Sequence, residues 1–253
     1  LTDDGDRLFQ RCQRVLAELE ELQTEAAGAR AAPSGTLRID MRIVFGSEVM
    51  MPILAQLVEQ HPALSLDVRL SDAYVDLVKE GIDVAIRVGE LRDSTLVARR
   101  FSSQTLVLVA APSYLATHGA PKHAQALAQH RCLVNVFVTP EEAWSFAGPD
   151  GAITVPVRGS FRTNNIETIR TAVLAGHGIA VGAVWLYYDD LAAGTVKPIL
   201  RSFVPAPLEI YALHAPGVRQ PAKVTELVRL LGQRIPKIRE LGAPPRRRPV
   251  VSS

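Results

Sequence analysis

Six histidines, two cysteines and the acids and bases of a 253-residue chain are the groups here that could do chemistry. Their spacing builds no enzyme. There is no His-Glu-x-x-His pair to hold zinc, no Gly-x-Ser-x-Gly nucleophile elbow and no P-loop. His118, His123 and His130 stand five and seven residues apart, not at the i, i+4 spacing of a helical metal pair, so they read as surface residues. Lys79, Lys122, Lys197, Lys223 and Lys237 show no setting for a cofactor lysine. Gly176-His177-Gly178, with Gly182 beyond it, lies between a helix and the following strand. A pyrophosphate loop needs the reverse order, so these glycines read as a helix C-cap. Cys12 and Cys132 are too few and too far apart for a disulfide framework or a thiolate zinc site, which makes a reducing compartment the expectation. No cofactor and no metal are expected.

What remains is binding chemistry at helix starts, where free N–H groups and a partial positive charge gather. Phe45-Gly46-Ser47-Glu48 joins the first strand of the main domain to its first helix. Ser47 caps that helix, or caps it and also donates to a ligand; Pro52 prefers the first helical position and argues for a later start. Thr163-Asn164-Asn165 precedes another helix, and Asn164 with Glu167 has capping-box spacing. Ser71 follows the second strand, as a turn residue or a contact. Arg87, at a strand's end, either faces a ligand crevice or pairs with Glu90 or Asp93.

The elements that must position these groups follow from periodicity. Leu8, Cys12, Val15, Leu19, Leu22 and Ala26 recur at spacings of 4, 3, 4, 3 and 4, an a/d seam. Thr2 is placed to cap its start. Such a seam either packs on its own domain or pairs with a second copy; its narrowness and the Pro33-Ser34-Gly35 linker favour the second. From Thr36 the pattern alternates. Leu37, Ile39 and Met41 mark a strand, Val49 to Gln60 a helix, Leu64 to Leu70 a strand, Asp72 to Lys79 a short helix and Asp83 to Val88 a strand. This order predicts a parallel sheet with right-handed crossovers. Thr105 to Ala111 reads as a buried strand, Pro112 to His130 as two short helices and Cys132 to Val138 as a strand. Gly148-Pro149-Asp150-Gly151 turns a hairpin, Asn165 to Ala175 is a helix, and a last helix starts at Pro221. The arginines of the tail, Arg246 to Arg248, are expected in a disordered end.

A chain with 47% hydrophobic residues and 21% charged ones can bury a core, which excludes general disorder. Lys plus Arg, 28, nearly balances Asp plus Glu, 26, so nothing in the charge calls for nucleic acid or an anionic membrane. No apolar run reaches the roughly 20 residues of a membrane span.

Leu1-Thr2-Asp3-Asp4-Gly5 resembles the opening of the linker helix of LysR-type transcriptional regulators. Gly35-Thr36-Leu37-Arg38-Ile39 is similar to the family's entry into its effector-binding domain, and the run from Asp76 to Arg87, DLVKEGIDVAIR, to its "DLV-x-EG-x-D-x-AIR" segment. Leu96 to Arg100, Ala111 to Leu115 and Leu174 to Ala180 are further matches in the same order. The resemblance implies an α/β, type 2 periplasmic-binding-protein-like fold. Two α/β lobes joined by two crossover strands would follow a long linker helix over residues 1–32. Lobe I would take 33–111 and 214–241, lobe II 112–213, with a basic tail over 242–253. It also implies a small-molecule effector held between the lobes. Ser47, Glu48, Ser71 and Arg87 would meet it from one side, and Phe137, Thr139, Asn164 and Asn165 from the other; of Trp185, Tyr187 and Tyr188, one would line it too and two would pack in the core. An organic carboxylate is the simplest match to two helix starts and an arginine. DNA would be read only by a winged helix-turn-helix domain that precedes the linker helix in the family. The implied assembly is a dimer or tetramer, the implied compartment the cytoplasm, with no membrane partner. A solute-binding protein of the same fold and an enzyme on that fold are the alternatives; the heptad helix speaks against the first, the lack of paired acid–base residues against the second.

Overall fold

The structure, a computed structural model, describes residues 32–73, 76–89, 91, 95–136, 143–159, 161–216 and 221–242, with Thr2, Gly5 and Cys12. Of the expected first helix, Thr2 Oγ1 accepts a hydrogen bond from the Gly5 amide at 3.2 Å, and Gly5 and Cys12 are helical. The rest of the seam, and the tail arginines, lie outside the described residues.

The chain divides into two compact units. Unit 1 comprises Leu1–Arg87, Asp93–Arg99 and Ala212–Arg234; unit 2 comprises Val88–Arg92, Arg100–Tyr211 and Ile235–Ser253. In unit 1, strand β1 (Gly35–Met41) runs into α1 (Ile43–Phe45), a π turn (Gly46–Met50) and α2 (Met51–Gln60). Strand β2 (Leu64–Leu70), helix α3 (Leu77–Glu80) and strand β3 (Val84–Val88) follow. β1 pairs parallel with both neighbours, Met41 opposite Leu70 on one side and Ile86 on the other, as the alternating pattern predicts. Leu37, Ile39 and Met41 are wholly buried on one face, each worth about 1.5–3 kcal/mol of transfer free energy. β4 (Val97–Gln104) and β13 (Leu208–His214) complete the sheet in the order β2-β1-β3-β13-β4. Each of these two strands begins in one unit and ends in the other.

The helix expected over Asp72 to Lys79 is only four residues long. Asp76 caps it, accepting from the amides of Val78 and Lys79 at 3.1 Å, and Gly81, at φ 66°, ends it. An aspartate whose side chain caps a helix marks where the helix begins. The last helix (Ala222–Arg234) buries Val224, Leu227, Val228 and Leu231, which recur at the three- and four-residue spacing of one helix face.

Unit 2 is built around β5 (Leu106–Ala110). The sequence reading places this strand with the first lobe; it pairs instead antiparallel with β10 (Ile179–Ala183) and β11 (Lys197–Pro198) of unit 2. Leu108 and Ala110 join one core with Tyr114, Trp144 and Phe146. Val109 joins another with Ile169, Val173 and Tyr187. Burial on both faces explains a run with no polar alternation. Around it stand α4 (Pro112–His118), β6 (Leu133–Asn135) paired parallel with β9 (Phe161–Thr163), and the hairpin of β7 (Ala143–Gly148) and β8 (Gly151–Pro156), closed over Pro149-Asp150 as expected. β12 (Val204–Pro205) pairs with β7. Helices α5 (Ile166–Leu174) and α6 (Tyr188–Ala193) complete the unit, and the helix at Ala222–Arg234 is α7. α5 ends at Gly176, φ 77°: the His177 amide reaches Ala172 O at 3.0 Å and the Gly176 amide Val173 O at 2.9 Å. This paired closure is the C-cap that the glycines predict. No helix of the described residues is long and apolar enough to cross a membrane.

Candidate functional site

In unit 1 the predicted contacts gather at the carboxyl ends of β1 and β2. The helix there begins at Ile43, earlier than the sequence suggests, and Ser47 is not its cap. Ser47 Oγ instead donates back to the carbonyls of Ile43 and Val44 at 3.1 and 3.2 Å. The start is served from a distant turn: Asp72 Oδ1 accepts from the Ile43 amide at 3.4 Å, and Arg42 Nη1 donates to Asp72 O at 3.2 Å. Ser71 sits in the same turn. Its amide donates to Met41 O, while its Oγ accepts from the Ala73 amide at 3.1 Å, which leaves the hydroxyl proton for another acceptor.

Pro52 explains the π turn. It has no N–H to offer the Glu48 carbonyl, and the Met51 amide bonds Gly46 O instead, five residues back. Gly46 lets this widened turn sit against the strand ends, where a Cβ would lie 2.5 Å from Leu70 Cδ2 and 2.8 Å from Met41 Cγ. Ser47 and Glu48 are exposed on it.

Arg87 has a partner that sequence spacing does not reveal. Its Nη2 lies 2.5 Å from Asp40 Oδ1, and its Nη1 donates to Ile86 O at 3.3 Å. Arg87 is 6% exposed and Asp40 1%. The contact is charge against charge: among the described residues Asp40 Oδ1 receives no hydrogen bond. Asp40 thus neutralises the cation expected for an anionic ligand. Neither Glu90 nor Asp93 is among the described residues.

In unit 2 the cap of α5 is Asn165, one residue later than the capping-box spacing suggests. Its Oδ1 accepts from Thr168 N at 2.9 Å and from Thr168 Oγ1 at 3.1 Å. Glu167 does not reach back to close a box; it takes Arg170 Nη1 at 2.8 Å. Arg170 also grips Asp190 with two bonds, 2.7 and 3.2 Å, tying α5 to α6. These acids hold the guanidinium firmly charged, the Asp190 hydrogen bond being the largest influence. Tyr187 is wholly buried, its hydroxyl without a hydrogen-bond partner among the described residues, and burial holds that hydroxyl protonated. Trp185 Nε1 donates to Gln104 Oε1 at 2.6 Å. Asn164 is exposed beside the cap. Phe137 and Thr139 lie outside the described residues.

Two polar corners therefore exist, one in each unit, each with hydrogen-bonding groups left for a ligand. Neither pairs a nucleophile with a base. Among the described residues no group of three His, Cys, Asp or Glu side chains could hold a metal ion. Burial pushes the Cys132 thiol up to about 12, so it is no nucleophile near neutral pH. Arg42, Asp40 and Asp72 are the site residues that sequence reasoning misses. A polar Ser71-Asp72 turn after a strand is the only local signal for one of them.

Residues 30–236 match the family described as LysR substrate binding domain. The chain is 32% identical over 234 residues to the HTH-type transcriptional regulator DmlR of Escherichia coli K12, which covers 92% of this chain and 76% of that protein. It resembles the full-length structure of the Vibrio cholerae virulence activator AphB, with a TM-score of 0.70 and 29% identity over 91% of this chain and 79% of that one. It also resembles CrgA from Neisseria meningitidis, a LysR-type transcriptional regulator, with a TM-score of 0.71 and 27% identity over 92% of this chain and 79% of that one.

Proposed function

This chain belongs to the LysR family as the effector-binding part of a transcriptional regulator, and from that premise we propose that it senses a small organic molecule through the two polar corners. The observation that carries the reading is the corner at the ends of β1 and β2. There a π turn, a glycine-permitted close approach and a borrowed cap leave Ser47, Glu48 and the Ser71 hydroxyl at the carboxyl ends of parallel strands, where α/β folds hold ligands. Asn164 and the first amides of α5 are the contacts proposed from unit 2, and Phe137 and Thr139 are proposed as further contacts.

An organic carboxylate remains the proposed effector class. It rests on the amides at the start of α5, because Asp40 already compensates Arg87. Effector binding shifts the population between two states of the regulator, and a winged helix-turn-helix segment carries the change to DNA. Self-association through residues 1–32, as a dimer or tetramer in the cytoplasm, completes the proposal.

The test has two arms. A thermal-shift panel of aliphatic and aromatic carboxylates should contain at least one that raises the melting temperature, as any ligand of the native state must. Calorimetry with that compound should show Ser71→Ala and Asn164→Ala each weakening binding by about 10- to 150-fold, the worth of one hydrogen bond to a charged group. A panel without effect removes the carboxylate; two variants that bind like the parent remove the corners.

A further inference from the structure

Tyr114 of α4 is 1% exposed, and its hydroxyl is held by two groups from the far end of the following segment. The Arg131 amide donates to Tyr114 Oη at 3.0 Å, and His130 Nδ1 lies 3.1 Å from the same oxygen. The ring of His118, one turn along α4, stacks on the tyrosine at 4.4 Å with an interplanar angle of 10°. His118 Nδ1 lies 3.3 Å from Tyr114 O, so that nitrogen is a donor. The residues between, 119–129, carry only a short 3-10 segment, Ala124–Gln129.

Proton accounting assigns the bond between Tyr114 and His130. The phenol hydrogen needs an acceptor, because the hydroxyl is buried. His130 Nδ1 supplies it only when unprotonated, with its hydrogen on Nε2. A protonated imidazole presents N–H at both nitrogens. Two hydrogens then face each other, and the phenol hydrogen loses its acceptor. We propose that Tyr114, His118 and His130 form a proton-operated latch, closed when His130 is neutral, that fastens α4 to the entry of β6 and opens on acidification.

The surroundings favour the closed form at neutral pH. Burial first, then the charge of His118, hold His130 below its ordinary value of 6.5. Burial likewise raises the Tyr114 hydroxyl, which stays a donor. The charged and titratable groups facing the pair are His118 from α4 and Arg131 and Cys132 from the entry to β6; the thiol is neutral. A depressed histidine makes the folded state bind fewer protons than the unfolded one. Its contribution is therefore complete above about 6.5 and is lost as pH falls below that value. The latch gives the regulator a proton input that needs no effector.

Hydrogen exchange of the Arg131 amide in the 253-residue chain, corrected for the intrinsic rate, reads the latch directly. Protection should fall about five- to tenfold from pH 7.5 to pH 5.0, the worth of one hydrogen bond. His130→Asn keeps an acceptor near the Nδ1 position but takes up no proton, and its protection should stay level. Tyr114→Phe should show low protection at both pH values, with melting curves confirming that it folds. Level protection in the parent overturns the proposal, as does an equal fall in parent and His130→Asn.

Discussion

The start of α5 and the start of α1 solve one problem in opposite ways. Both helices expose amides with no partner inside the helix. Unit 2 supplies the acceptor from the adjoining residue, Asn165, at 2.9 Å. Unit 1 borrows it from Asp72, across a strand and a turn, at 3.4 Å. A local cap depends on the helix alone, whereas a borrowed one ties the helix start to whatever positions the turn. The units also treat charge differently. Arg87 and Asp40 are sealed from water, while Arg170 keeps 28% of its side chain exposed between Glu167 and Asp190.

The contrast in charge should be the easiest to break. Arg87→Met strands Asp40 in the core, and chemical denaturation should register a loss of about 3–5 kcal/mol. Arg170→Met leaves Glu167 open to water and Asp190, its side chain 12% exposed, with Thr195 Oγ1 as a remaining donor, and the same measurement should give a smaller loss, about 1–3 kcal/mol. Equal losses would show that burial does not separate the two networks. Gly46→Ala comes next. Its Cβ would press on Leu70 and Met41, and overpacking of that kind costs about 1–3 kcal/mol. The expected signature is a lower denaturation midpoint with an unchanged slope.

The caps themselves should show the smallest effects and the sharpest comparison. Asn165→Ala should cost about 1 kcal/mol, a usual value for a lost N-cap. Asp72→Ala should cost less, because its 3.4 Å bond to Ile43 is long. Exchange at the Ile43 and Thr168 amides would report each cap separately. A greater loss at Ile43 would reverse the ranking of local over borrowed.

What could be read beforehand divides along the same line. The Pro149-Asp150 hairpin, the Gly176 closure and the alternation of β1 and β2 are written in neighbouring residues, and the structure shows them where the pattern predicts. Asn165 is missed by one position, because Asn164 offers the same chemistry. The Asp40–Arg87 pair and the Asp72 cap join residues distant in sequence, and no local period encodes them. β4 escapes for another reason: Val97 to Arg100 are all exposed and Gln104 alone is buried, so no alternation marks the strand. The π turn was half legible, since Pro52 signals a disturbance without saying whether the helix starts late or widens.

The doubly buried strand β5 sets the timetable of synthesis. Leu-Val-Leu-Val-Ala leaves the ribosome with no cover, and its antiparallel neighbours arrive only at Ile179 and Lys197. At about 5–20 residues per second the wait for Ile179 is roughly 3–14 s. Throughout it an uncharged β-prone stretch has nothing native to pair with, the kind of segment that seeds intermolecular sheets. Nascent chains cut short before β10 should therefore be the forms that chaperones retain.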